Sequence, residues 1–205
     1  MRLSVTRLAA LLAGVALLAA CSVDQSPDSP PDVVAAAAYR SPEPPSITVM
    51  TMVNNRTGSG GHSALLINGS QRVIFDPAGS FRDPRLPERG DVLYGVTPGW
   101  LQAYRSAHAR STFHVVSQTI PVSAAQAEQA LKLALSNGAV PGAYCTQATT
   151  GVLSQVDGFQ QINRTFFPVN LMEQVATLPN VTTTKLYEND EGDVIDAVRA
   201  GQLAQ

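Results

Sequence analysis

Gly61-His62-Ser63-Ala64-Leu65-Leu66-Ile67, then Asn68-Gly69-Ser70, then Gln71-Arg72-Val73-Ile74-Phe75-Asp76 is the stretch that decides the fold. Two apolar runs, His62 to Ile67 and Gln71 to Phe75, flank residues of strong turn chemistry, so the segment reads as a β-hairpin. Asp76-Pro77-Ala78-Gly79 stops its second strand. If Asn68, Gly69 and Ser70 form a three-residue loop, Ile67 faces Gln71, and counting outward sets His62 opposite Asp76. A two-residue loop would turn those two side chains to opposite faces, because side chains alternate along a strand.

Working outward, Ser46 to Val53 alternates β-branched and other residues, which suits a half-buried strand before the turn-forming Asn54 to Gly61. Phe81 to Gly90, with Pro84 and Pro87, reads as a surface loop, and Gly90 to Val96 as a short strand. Pro98 introduces a helix from Trp100 to Ala109, and Thr112 to Val122 is a further strand. Ser123 with Gln126 three residues on forms a capping box for a helix that Gly138 ends. After the Pro141-Gly142 turn, Ala148, Val152, Leu153 and Val156 recur at helical spacing, which sets Cys145 in or just before a first turn. A helix from Asn170 to Leu178, a strand from Val181 to Tyr187 and a helix from Gly192 to Leu203 follow. Strands early and late with helices between predict an α+β domain, an antiparallel sheet with packed helices, over residues 46–205.

The first twenty residues are of a different kind. Arg2 and Arg7 precede an apolar run from Leu8 to Leu18, the layout of a secretory signal, residues 1–20. The run is too short for a mature span, which takes about 20 apolar residues. Leu18-Ala19-Ala20-Cys21 resembles the lipobox of bacterial lipoproteins, which implies cleavage before Cys21 and acylation of its thiol. The alternative is an ordinary signal peptide, with Cys21 free or in a disulfide. Two or three acyl chains suffice for stable anchoring, at about 0.8 kcal/mol per buried methylene. Ser22, where aspartate commonly retains lipoproteins in the inner membrane, implies transfer to the outer membrane, facing the periplasm. Residues 21–45 are rich in Ser, Pro, Ala and Asp and read as the lipidated cysteine and a semi-extended linker. Without the signal, twelve basic residues stand against sixteen acidic ones, which speaks against nucleic acid as a partner.

With Cys21 acylated, Cys145 is the one thiol left. In an oxidising compartment such a cysteine is either buried and inert or kept for its reactivity. A free thiol has a pKa near 8.5 and is mostly protonated at neutral pH; a helix N-terminus and a nearby imidazolium both favour the thiolate. His62, His108 and His114 are the candidates for the imidazole. His62 is best placed, at the start of a strand directly after Gly58-Ser59-Gly60-Gly61. His108, in a helix-to-loop stretch, and His114, inside a strand, read as hydrogen-bonded or exposed residues without a chemical role.

Gly61 to Ile67, the turn, Val73-Ile74-Phe75-Asp76-Pro77 and the later Tyr144-Cys145-Thr146-Gln147 together resemble circularly permuted members of the NlpC-type papain-like cysteine hydrolases. The likeness runs from about Gly61 to Val156, with the histidine strand ahead of the cysteine helix, as in the branch that includes acyltransferases of the lecithin:retinol type. It implies Cys145 as nucleophile, His62 as general base and Asp76 as the group that fixes the imidazole tautomer. The Cys145 N–H would be one oxyanion donor, with no second one named. Asp76 also reads simply as a carboxylate that ends a strand before proline. Gly90-Asp91 resembles the glycine-aspartate strand that precedes the histidine strand in that superfamily; here it follows, and it reads as an accidental match.

The expected activity is a thiol hydrolase acting through a Cys145 thioester, on amide bonds of peptidoglycan peptides for an enzyme tethered beside the wall. A lipid acyl hydrolase or acyltransferase is the variant the permuted branch implies. A non-enzymatic envelope lipoprotein that keeps the fold for binding is the rival. No metal and no cofactor are expected, for want of clustered ligand spacing or a phosphate-loop ending after Gly58 to Gly61. The expected partners are the membrane, through the lipid, and peptidoglycan; the oligomeric state is left open.

Overall fold

The computed structural model describes residues 28–79 and 81–203. The signal segment, Cys21 and the chain to residue 27 lie outside the described residues. The fold is α+β: seven strands form one antiparallel sheet, covered on both faces by helices. The strands are β1 (Ser46–Asn54), β2 (Gly60–Asn68), β3 (Arg72–Phe75), β4 (Glu88–Arg89), β5 (Val92–Leu93), β6 (Phe113–Pro121) and β7 (Thr182–Leu186). They lie in the order β4-β5-β3-β2-β1-β6-β7. The helices are α1 (Pro31–Ala36), α2 (Pro98–His108), α3 (Ala124–Asn137), α4 (Cys145–Leu153), α5 (Pro168–Ala176) and α6 (Val194–Leu203). No described helix is long and apolar enough to cross a membrane.

Alternation along the strands splits the core in two. Ile47, Val49, Leu65, Ile67, Val73 and Phe75 face α3, α4 and α5, whereas Met50, Met52, Ala64, Leu66 and Ile74 face α2 and α6. β1 is therefore buried on both sides rather than half-buried, with only its two end residues partly open. Its central Thr48 and Thr51 conceal this in the sequence, since threonine there suggests a wet face; Thr48 is satisfied by the Thr119 hydroxyl at 2.9 Å. The α3 capping box forms with both reciprocal bonds, and Thr97 caps α2 ahead of Pro98.

The hairpin loop is three residues long, but it is Gly69-Ser70-Gln71, and Asn68 pairs with Arg72. The register is thus displaced by two from Ile67 facing Gln71: Ile67 faces Val73, and continuing the ladder sets Asp76 across from Ala64, diagonal to His62. A displacement by two preserves the face, so His62 and Asp76 still point to the same side. The stretch from Phe81 to Gly90 is not simply a surface loop, because Phe81 and Leu86 are buried under α2 and Glu88–Arg89 joins the sheet.

Residues 28–45, expected as part of a linker, are instead laid along the domain. Pro31 stands at the first position of α1, where its missing N–H costs nothing. Ser29 N–H donates to the Glu88 carbonyl at 2.8 Å, and the Gly90 N–H donates to Asp28 Oδ1 at 2.7 Å. Asn68 Nδ2 donates to the Glu43 and Pro44 carbonyls. The anchor of this strap is Arg72, 1% exposed: its N–H donates to the Tyr39 carbonyl, Nε donates to the Val96 carbonyl at 2.7 Å, and the guanidinium lies over the Tyr39 ring. Composition argued for a free linker because it counts prolines without seeing the carbonyls that the domain can satisfy. Arg72→Ala removes the buried stem and leaves the Val96 carbonyl unpaired, which is expected to cost about 3 kcal/mol. Thermal denaturation should show a Tm lower by roughly 6–12 °C, with new protease cleavage between residues 28 and 45. An unchanged Tm would show that the strap does not depend on this arginine.

Candidate active site

Cys145 is the first residue of α4, and a buried lattice of hydroxyls fixes that helix against β2. Ser63 Oγ donates to Thr146 Oγ1 at 3.1 Å, Thr149 Oγ1 donates to the Cys145 carbonyl at 2.8 Å, and Thr150 Oγ1 donates to the Thr146 carbonyl at 2.7 Å. β3 pairs with β2 no further than Leu65, so the ladder stops two residues short of Ser63. Past that end Cys145 reaches β2: the His62 ring and the Ser63 N–H both favour its thiolate, and its sulfur lies 3.7 Å from the Thr146 hydroxyl. Residues 62 and 145 thus meet although they stand on different layers.

His62 Nε2 lies 2.7 Å from Asp76 Oδ1, so Nδ1 is the ring nitrogen not engaged by the carboxylate. The same Oδ1 accepts from the Tyr104 hydroxyl at 2.6 Å. Asp76 is 4% exposed, Tyr104 is fully buried, and the His62 side chain keeps 16% of its surface. Asp76 is placed by a turn in which the Gly79 N–H donates to its carbonyl. Asp91 spans the loops on either side: Oδ2 accepts from the Ala78 N–H and from the Val140 N–H, each at 2.9 Å. One carboxylate therefore ties the turn carrying Asp76 to the segment leading into Cys145, a structural role for the residue whose likeness reads as accidental.

Burial works against an imidazolium at His62, but the Asp76 charge and hydrogen bond, with the sulfur, outweigh it and raise its pKa to about 10. Burial likewise pushes the Cys145 thiol up, and the hydrogen bond and charge of His62, with Thr146 and the Ser63 N–H, bring it down to about 7. Burial would also raise Asp76, yet His62 and Tyr104 hold its carboxyl below the ordinary value. Between about pH 7 and 10 the three groups are thiolate, imidazolium and carboxylate.

Two of the site's neighbours were not legible as such. Tyr104 and His108, four residues apart on α2, present their polar ends to the site from the layer opposite α4. The His108 ring stacks on His62 at 6.0 Å, and its Nδ1–H donates to the Tyr104 carbonyl at 2.8 Å. Burial first, then the positive charge of His62, lower the His108 pKa to about 4, so the stack holds one charged and one neutral imidazole. The shared helix face of Trp100, Tyr104 and His108 was the available signal. His114 bonds Asn55 and stacks on Tyr187, apart from the cluster.

Two hollows open near these residues, and Cys145 lines neither. One of about 320 Å³ is walled by His62, Gly79, His108 and Phe113, and another of about 340 Å³ by Tyr144, Gln147, Arg164 and Phe166. Cys145, 7% exposed, is influenced by His62 of the first and directly follows Tyr144 of the second. Tyr144 gives α4 no side-chain cap, so no N-cap side chain occupies the first-turn amides. Among the described residues, no group of three or more His, Cys, Asp or Glu is placed to hold a metal ion. Compared with protein-family models, curated proteins and solved structures, the chain matches none.

Proposed function

We propose that this chain is a lipid-anchored envelope protein whose domain performs acyl transfer through Cys145. The observation that carries the reading is the contact series from Cys145 through His62 to Asp76 and Tyr104, built at the start of a helix. The thiolate adds to a substrate carbonyl, and amides of the first turn of α4 receive the developing oxyanion. His62 gives its proton to the departing amine or alcohol, leaving a thioester on Cys145. Water, deprotonated by His62, then cleaves the thioester and restores the thiolate and imidazolium. Asp76 keeps the ring oriented and its charge compensated throughout, and Tyr104 keeps Asp76 oriented.

The substrate class that fits an enzyme tethered beside the wall is the peptide amide of peptidoglycan, with lipid or lipoprotein acyl esters as the variant. Acylation of Cys21 and placement on the outer membrane are part of the same proposal. The low exposure of Cys145 is the one observation favouring a non-enzymatic binding protein. Incubation with an activated acyl ester distinguishes the two. An adduct on the peptide bearing Cys145, discharged by neutral hydroxylamine and absent from Cys145→Ala, is expected of the enzyme. A chain that acquires no adduct and whose thiol resists mild alkylation at pH 7 is the binding protein. Labelled palmitate should enter the chain and be lost in Cys21→Ala, but not in Cys145→Ala.

A further inference from the structure

Three large aromatic side chains stand in water beside the nucleophile. Phe167 is 72% exposed, Phe166 50% and Tyr144 47%, and the Tyr144 and Phe166 rings meet edge to face 5.4 Å apart. Single exposed apolar residues need no explanation, but a cluster of rings at the rim of a hollow does. Arg164 lines that hollow with Tyr144 and Phe166, and Pro168, directly after Phe167, packs against Gly60 near the start of β2. The rings thus lie beside the strand and the helix that carry His62 and Cys145.

A separate observation says what covers them. The described chain begins at Asp28, which is fixed to the Gly90 N–H. Gly90 stands against Gly138, and Asn137 just before that glycine and Val140 two residues after it line the same hollow as Tyr144 and Phe166. The N-terminal chain therefore leaves the domain at its aromatic end. Cys21 precedes Asp28 by seven residues, a reach of at most about 25 Å.

We propose that Tyr144, Phe166 and Phe167 dock on the lipid surface that holds the Cys21 acyl chains, with Arg164 toward the phosphate headgroups, so that the Cys145 site opens at the membrane. This rests on the reading of Cys21 as acylated, and not on the activity of Cys145. Aromatic rings favour the headgroup level, and cationic side chains are drawn toward an anionic leaflet. Such contacts are weak for a free protein. On a short tether they act at an effective concentration in the millimolar range, where weak contacts suffice.

The test uses the full acylated chain in phosphatidylethanolamine and phosphatidylglycerol vesicles, with and without bromine on the lipid acyl chains. Trp100, the single tryptophan, lies in the opposite helix layer and serves as the internal control in the wild type. In Phe167→Trp carried on Trp100→Phe, emission is expected to fall by about half or more in brominated vesicles, while wild-type Trp100 is unaffected. Tyr144→Trp in the same background should behave likewise. If the chains float with the vesicles but both introduced tryptophans remain unquenched, the docking surface is wrong and the anchor stands. If the chains do not float, the reading of Cys21 fails and the docking proposal falls with it.

Discussion

In His62→Ala, the pH at which Cys145 becomes half-reactive toward iodoacetamide is expected to rise from about 7 to the ordinary thiol value or beyond. The sign follows from what remains. Burial opposes the thiolate in both proteins, and only the wild type offsets it with a neighbouring imidazolium. At pH 7 the thiolate fraction should fall from roughly half to roughly one-thirtieth or less, a loss of about 15-fold or more in labelling rate. Acyl transfer should fall further, by about 10³–10⁴-fold, because the proton donor for the leaving group is lost as well. The two readouts separate the roles of His62. In the wild type, activity should rise as pH increases through about 7, where Cys145 ionises, and decline through about 10, where His62 gives up its proton. Labelling that is unchanged in His62→Ala would mean that the ring does not set the thiol's ionisation, and the acyl-transfer proposal would not survive it.

How much of this was legible in the sequence depends on the range of the interaction. The Ser123–Gln126 box, the break at Gly138 and the helix opening at Cys145 depend on neighbours within four residues, and each forms where local chemistry sets it. The face shared by His62 and Asp76 was legible too, since it depends only on the parity of the loop; the register, displaced by two, was not. Tyr104 could not be assigned to Asp76, 28 residues away, without knowing which face of the sheet α2 covers. The contact of Cys145 with the β2 edge needs β3 to end at Phe75, which Asp76-Pro77 signals, and α4 to cross that end, which nothing local signals. Likewise the strap of residues 28–45 is held by partners 24 to 62 residues distant, Asn68, Arg72 and Gly90 among them.

Gly79→Ala tests the carboxylate without removing a polar group. A Cβ at Gly79 would overlap Asp76 Oδ2 and Cγ, so the carboxyl group or the turn has to move. The carboxyl group is the far end of a short side chain, but it is not free to swing: Oδ1 already accepts from His62 and Tyr104, and the residue is 4% exposed. Moving the turn instead would pull Ala78 from Asp91, whose other bond, to Val140, steadies the approach to Cys145. Either route misaligns His62 by a fraction of an ångström to about 1 Å, and misplacement of that order costs about 10²-fold in rate. The expected result is a loss of that size in acyl transfer, with the labelling midpoint of Cys145 moved upward because a less well-held imidazolium stabilises the thiolate less. Gly142→Ala is the matched control: it lies in the segment leading to the same cysteine, a Cβ there meets nothing within 4 Å, and its φ is not positive. Gly142→Ala should keep both the rate and the midpoint. If Gly79→Ala keeps them as well, the orientation of Asp76 is not what holds His62 charged, and the role given to that carboxylate passes to another group around the stacked imidazoles.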